Sequence, residues 1–252
     1  MITIYLHGFS GDEKGLADFA RAMKITPYRL WLMPGFGGKP VSKAARQSLT
    51  AYCKETMNEI TAEYPRETFH IIGHSHGAII AYCLASMYPK LINELTLMNP
   101  VAKPRAASRL LSRLLRGATY VVPSWVMIRT MKSRRIVDAV SSYMAAHHTG
   151  EARARIYETR RRETAHYTKD MLRLAKHASS FRSHMQQSSV VQPTTIIYDT
   201  HDRIAGSRDA MWYAKRCPDH DLIEVTGGHL GVVAIPDNIA KHVTEHQGKN
   251  SL

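Results

Sequence analysis

The residues of this chain best placed to do chemistry are Gly73-His74-Ser75-His76-Gly77. An apolar run, Phe69-His70-Ile71-Ile72, leads into them, and a helical pattern from Ala78 to Ala85 follows. A serine at the apex of such a strand–turn–helix must take a strained backbone conformation, which lifts its hydroxyl clear of the sheet. Glycines on either side leave room for strand and helix to pass closely beneath it. A helix starting at the serine also brings free N–H groups and a positive dipole end to where an oxyanion would form. The five residues alone also describe an ordinary Gly-rich turn, so the flanks and any distant partners must decide.

A serine hydroxyl is a weak nucleophile at neutral pH; it needs a base within hydrogen-bond reach and a group that orients the base. In open α/β sheets such groups gather beyond the carboxyl ends of the strands. Two acids, Asp199 and Asp202, follow the apolar stretch Thr194–Tyr198, and His229 follows Leu222–Val225 inside the loop Thr226-Gly227-Gly228-His229-Leu230-Gly231. The chain order Ser, Asp, His is the order this type of elbow uses.

The elements that must position these groups read from hydrophobic period. Ile2–Leu6 is a short apolar strand suited to a sheet buried on both faces. Leu16, Phe19, Ala20 and Met23 mark one helical face, and Tyr28–Met33 a second strand ended by Pro34-Gly35. Ser42 is placed to cap one long helix carrying Ala45, Leu49, Tyr52, Cys53, Thr56, Met57 and Ile60, closed by Pro65. Glu94–Met98 is a further strand, and Ser207–Arg216 a further helix; Pro236 suits the first turn of a last helix bearing Ile239 and Val243. Strands alternating with helices at this spacing predict right-handed crossovers and a parallel sheet.

Residues 101–187 break the alternation. They hold 18 of the 34 Lys and Arg but 5 of the 21 Asp and Glu, whereas the rest of the chain is balanced at 16 of each. All of the excess charge, +13, therefore lies in one internal segment, read as an inserted helical lid with its own surface task. Three apolar stripes are expected there: the leucines of Arg105–Arg116; Ile136, Val137, Val140, Tyr143 and Met144; and Met171, Leu174, Ala178 and Phe181. The first could lie in an anionic membrane interface. Selection of anionic substrates, or a plain solvated surface, would use the same charge. No nucleic-acid motif accompanies it. The three cysteines, Cys53, Cys83 and Cys217, are odd in number and widely spaced; they read as free thiols of a reducing compartment, and the N-terminus carries no signal pattern, so a cytoplasmic protein is expected.

With these residues in view the chain resembles the α/β-hydrolase superfamily, in particular its lid-bearing serine esterases. The resemblance spans the core, 1–100 and 188–252, around the inserted lid 101–187. His7-Gly8-Phe9 is similar to the family's oxyanion turn, Gly73–Gly77 to its nucleophile elbow, Pro193–Ala205 to its acid loop and Gly228-His229 to its histidine loop. It implies a mostly parallel sheet of about six strands with helices on both faces, two strands short of the usual eight. It also implies roles: Ser75 as nucleophile, His229 as base, Asp202 as the orienting acid in preference to Asp199, and the backbone N–H groups of Phe9 and His76 as oxyanion donors. The implied activity is hydrolysis of a small carboxylic ester or thioester through an acyl-enzyme, without cofactor. A C–C bond hydrolase or lyase acting on an anionic substrate, and a non-catalytic receptor using the same pocket, are the alternatives.

Most of the 14 histidines must be bystanders. His74-Ser75-His76 lacks the third ligand and carboxylate of a metal site, so no metal is expected. His76 should pack at the helix start and His7 should bond the loops. His147-His148 should be solvated at a helix end, and Cys83 should lie in the core.

Overall fold

The computed structural model describes residues 1–9, 11–102, 123–184 and 188–250. Six strands, β1 (Ile2–Leu6), β2 (Tyr28–Trp31), β3 (Phe69–His74), β4 (Ile92–Met98), β5 (Thr194–Tyr198) and β6 (His220–Glu224), form one parallel sheet in the order β2-β1-β3-β4-β5-β6. The strand order reverses between β1 and β3, so the carboxyl ends of the central strands open onto a crevice.

Alternation along the strands sorts side chains onto two cores. Ile4, Leu6, Ile71, Leu97 and Ile196 face one side. They pack there with α3 (Leu49–Glu63), α4 (His76–Met87) and α9 (Ser207–Ala214). Tyr5, Ile72, Met98, Ile197 and Ile223 face the other, under α1 (Ala17–Met23) and α10 (Pro236–Asn250). Covering both faces explains why the central strands read as continuous apolar runs.

The long helix expected after Ser42 is two. Ser42 caps α2 (Lys43–Gln47), accepting from the Ala45 N–H, and then Ser48 takes an extended conformation and caps α3 by accepting from the Ala51 N–H. A serine that can bond the backbone locally competes with the helix ladder, and here it stops one helix and starts the next.

Between β4 and β5 lie α5 (Ser124–Lys132), α6 (Arg134–Met144), α7 (Gly150–Ala165) and α8 (Lys169–His184). Met171, Leu174 and Phe181 of α8 join the core of α3 and α4, and Arg46 of α2 pairs with Asp170 at 3.0 Å. The stripe on α6 does not pack as expected: Val137 is buried, but Ile136, Val140 and Tyr143 are 43%, 41% and 49% exposed. The stripe expected over Arg105–Arg116 lies outside the described residues. Among the described residues no helix is long and apolar enough to cross a membrane.

Candidate active site

β3 is buried along its whole length and runs straight into Ser75, whose φ of 53° and ψ of −109° are unusual for a residue with a side chain. Such a conformation costs roughly 1–3 kcal/mol and persists only where the surroundings enforce it. The Ser75 N–H donates to the Met98 carbonyl at 2.9 Å, tying the turn to β4. A Cβ at Gly77 would collide with the carbonyls of Leu6 and His7, and one at Gly73 with the backbone of Gly77 and Ala78. Only glycine lets the start of α4 sit this close to β1.

Beyond β5 the chain turns so that both Asp202 oxygens are fully used. Oδ1 accepts the N–H groups of Ile204 (2.6 Å) and Ala205 (3.0 Å), and Oδ2 accepts from Asn99 Nδ2 (3.0 Å) and from His229 (2.7 Å). A carboxylate only accepts, so His229 carries its proton on Nδ1. Its Nε2 is then the acceptor for the Ser75 hydroxyl, 2.9 Å away. Burial alone would push the Asp202 carboxyl up. The His229 charge and hydrogen bond, with the two backbone N–H groups, outweigh it and hold the carboxyl below its ordinary value. The three side chains predicted from the sequence thus meet in one hydrogen-bonded chain at the carboxyl edge of the sheet.

Asp199, the second candidate acid, does something else. Completely buried, it accepts the His201 N–H on Oδ1 (2.6 Å) and the N–H groups of Gly227 and Gly228 on Oδ2 (2.7 and 2.6 Å). It pins the two residues that precede His229. The same loop is held from the other side by His148, whose Nε2–H donates to the Gly227 carbonyl at 2.6 Å. His148 is therefore buried and bonded rather than solvated; His147 beside it is exposed. Leu230 packs with Ile156 of α7, so the segment before β5 also braces the loop on its far side.

Three further histidines around the site, His7, His74 and His76, are held neutral by burial. His7 donates Nδ1–H to the Gly8 carbonyl (2.9 Å) and accepts the Met33 N–H on Nε2 (3.2 Å), and its pKa falls to about 4. His74 donates Nε2–H to the His229 carbonyl at 2.8 Å, with a pKa near 3. His76 packs its ring edge-on against Phe9, 5.8 Å between centroids, and is likewise lowered to about 3. As the first residue of α4, its backbone N–H has no helical acceptor. The turn after β1 is closed by the Gly11 N–H on the Gly8 carbonyl (2.9 Å), and Phe9 lines the same small cavity as Ser75. That cavity, about 40 Å³, is also lined by Arg160, Glu163, His229 and Leu230.

The family model for serine aminopeptidase, S33 (Hydrolase_4) matches residues 2–228, nearly the whole chain. The chain belongs to this family. It is a Hydrolase_4 protein, within the α/β-hydrolases and their serine-hydrolase chemistry. Relatives are distant. Monoacylglycerol lipase ABHD6 of Rattus norvegicus is 23% identical over 254 residues, covering 96% of this chain and 74% of that protein. Probable lysophospholipase BODYGUARD 4 of Arabidopsis thaliana is 27% identical over 119 residues, 45% of this chain. The match spans only 28% of that plant protein's length. Among solved structures, a hydrolase from Oleispira antarctica superposes with a TM-score of 0.74 at 18% identity, covering 97% of this chain and 90% of its own. A thermophilic esterase from Thermogutta terrifontis gives 0.69 at 15%, covering 99% and 90%. At such identities these two likenesses establish the fold of this Hydrolase_4 chain and nothing finer.

Two residues in the site were missed from the sequence. Arg160 and Glu163 are three apart on α7, and their spacing puts them on one helical face. Nothing in the sequence said that this face would turn toward Ser75.

Proposed function

We propose that this protein hydrolyses carboxylic esters or thioesters of small molecules through an acyl-enzyme. The observation that carries the reading is the continuous relay from Asp202 Oδ2 through the His229 ring to Ser75 Oγ, 2.7 and 2.9 Å, on a serine held at positive φ. In the first half-reaction His229 Nε2 takes the Ser75 proton as Oγ attacks the acyl carbon. The tetrahedral oxyanion is met by the N–H groups of Phe9 and His76, each donor of this kind lowering the barrier by about 3 kcal/mol. His229 then gives the proton to the leaving oxygen or sulfur, and the acyl group stays on Ser75. In the second half-reaction His229 deprotonates a water, which attacks the acyl-enzyme and releases the acid and the serine. Asp202 keeps the imidazole in the tautomer that can accept and stabilises its charged form.

The helices of 101–187 act as a lid over this site in our reading. The bond from His148 to Gly227 and the packing of Ile156 against Leu230, on either side of His229, support that role, and the segment's net positive charge suits contact with an anionic membrane surface. Three buried thiols, Cys53, Cys83 and Cys217, fit a cytoplasmic enzyme.

An active-site fluorophosphonate tests the core of the proposal. It should label the wild type at Ser75 and leave Ser75→Ala unlabelled, and the variant should lose turnover of p-nitrophenyl esters. Retention of more than about a tenth of wild-type turnover would reject the assignment, since loss of a triad member ordinarily costs several orders of magnitude. A vinylogous diketone assayed alongside separates C–C bond cleavage from ester hydrolysis.

A further inference from the structure

The face that α7 turns inward has the spacing of a core stripe and the wrong composition for one. Its buried positions are Ile156, Thr159, Arg160, Glu163 and Thr164. Positions at i, i+3, i+4, i+7 and i+8 are ordinarily apolar; here four of the five are polar. Of the five arginines in α7, only Arg160 is buried, 8% exposed. Arg155, Arg161 and Arg162 reach outward to Glu151, Asp138 and Asp12. Arg160 Nη1 instead meets Glu163 Oε2 at 3.2 Å, with Glu163 also 8% exposed, in the wall of the cavity that Ser75 and His229 line.

A buried ion pair is a poor way to hold a helix down, because desolvation offsets the attraction and an apolar pair of the same size does as well or better. A guanidinium beside a nucleophile has another use: it presents several donors in a fixed plane to a carboxylate or phosphate. We infer that Arg160 is a specificity-determining residue and that the substrate is an ester carrying a second, anionic group, a compact carboxylate above all, close to the scissile bond. The inference rests on the esterase reading of the same site. Space favours the carboxylate, since the cavity, about 40 Å³, suits a group of a few atoms.

Glu163 sets the terms of entry. An arriving anion must share Arg160 with it. Burial raises the Glu163 carboxyl to about 7 although Arg160 and Arg162 pull it down and Asp12 opposes them. His7, His74 and His229 line the other walls. Below neutrality Glu163 is protonated and becomes a second donor; above it, its charge competes with the substrate's. Anion binding therefore carries a proton to Glu163, and the preference for charged esters weakens as pH rises past 7.

The experiment compares matched pairs: methyl hydrogen succinate with dimethyl succinate for an anion on the acyl side, and 3-acetoxybenzoate with its methyl ester for an anion on the leaving side. The readout is the ratio of kcat/KM, charged over neutral. In at least one pair Arg160→Gln should lower that ratio roughly 10- to 100-fold, the range of a charge-assisted hydrogen bond. Arg155→Gln, which removes a charge from the exposed side of the same helix, should move it by less than about 2-fold, as expected of a screened surface charge. Glu163→Gln should raise the ratio at pH 8 and flatten its pH dependence. A ratio unmoved by Arg160→Gln in both pairs, or lowered by Glu163→Gln, overturns the inference while neutral-ester turnover through Ser75 leaves the esterase reading standing. If no ester is turned over and the fluorophosphonate does not label Ser75, both fall. Should Arg160→Gln fail to fold, the Glu163→Gln arm decides alone.

Discussion

Replacing Asp202 by Asn tests the relay in a way the structure makes specific. Asp202 Oδ1 accepts two backbone N–H groups, those of Ile204 and Ala205. In the variant the amide oxygen must stay there, because the amino group would face two donors. The amino group is thereby directed at His229 Nδ1 and at Asn99 Nδ2, where Oδ2 now accepts from both. His229 can meet an N–H donor only by moving its own proton to Nε2. That proton then points at Ser75 Oγ, and the base is lost. The expected loss in kcat is about 10⁴-fold, the scale on which a wrong histidine tautomer costs a serine hydrolase. Two amino groups facing each other at Asn99 cost a further 1–3 kcal/mol or so of stability unless Asn99 turns its amide over. The assay is steady-state hydrolysis of a p-nitrophenyl ester, with a thermal melt to establish that the variant is folded. A folded variant that keeps more than about a tenth of wild-type kcat would refute the tautomer argument.

Asp199→Asn should leave KM unmoved and lower kcat by about 10- to 100-fold, because it loosens the loop that aims His229 rather than the relay itself; an effect as large as that of Asp202→Asn in kinetics at pH 7 would make Asp199 the acid. Gly77→Ala should yield little folded protein, or protein unreactive toward the fluorophosphonate, since its Cβ meets the carbonyls of Leu6 and His7; normal labelling would contradict the packing. Glu163, with its carboxyl raised to about 7 from 4.5, contributes stability that is complete below pH 4.5 and lost as pH rises through 7. Glu163→Gln cannot ionise, so its Tm should match the wild type near pH 5 and exceed it at pH 8. A gap that widens toward acid pH would reverse the sign and reject the assignment.

The strands and the relay were legible because each rests on local signals. Short, nearly continuous apolar runs marked β1, β3 and β5, and the glycines around Ser75 and before His229 marked the turns at which strands hand over to loops. What the sequence hid was decided mostly at long range, with Ser48 a local exception. Ser48 reads as one more helix residue until its side chain caps a second helix. Asp199 and Asp202 are both acids just past a strand; the resemblance favoured Asp202 as the acid, but the other task of Asp199, holding Gly227 and Gly228, was not legible. His148 looks like a solvated pair with His147 because its partner carbonyl lies 79 residues away. The α6 stripe of Ile136, Val140 and Tyr143 has the period of a core helix yet stands exposed: periodicity reports a face and not what meets it.

The close approach of Gly77 to the Leu6 and His7 carbonyls means that the floor beneath the reactive serine is laid by the seventh residue of the chain. Until β1 has slotted between β2 and β3, the packing that holds residue 75 in its high-energy shape is incomplete, and it can relax. Covalent labelling of that serine during refolding therefore cannot precede closure of the central sheet, and a ribosome-bound chain should acquire it only after residues separated by seventy positions, and then His229, have found their places.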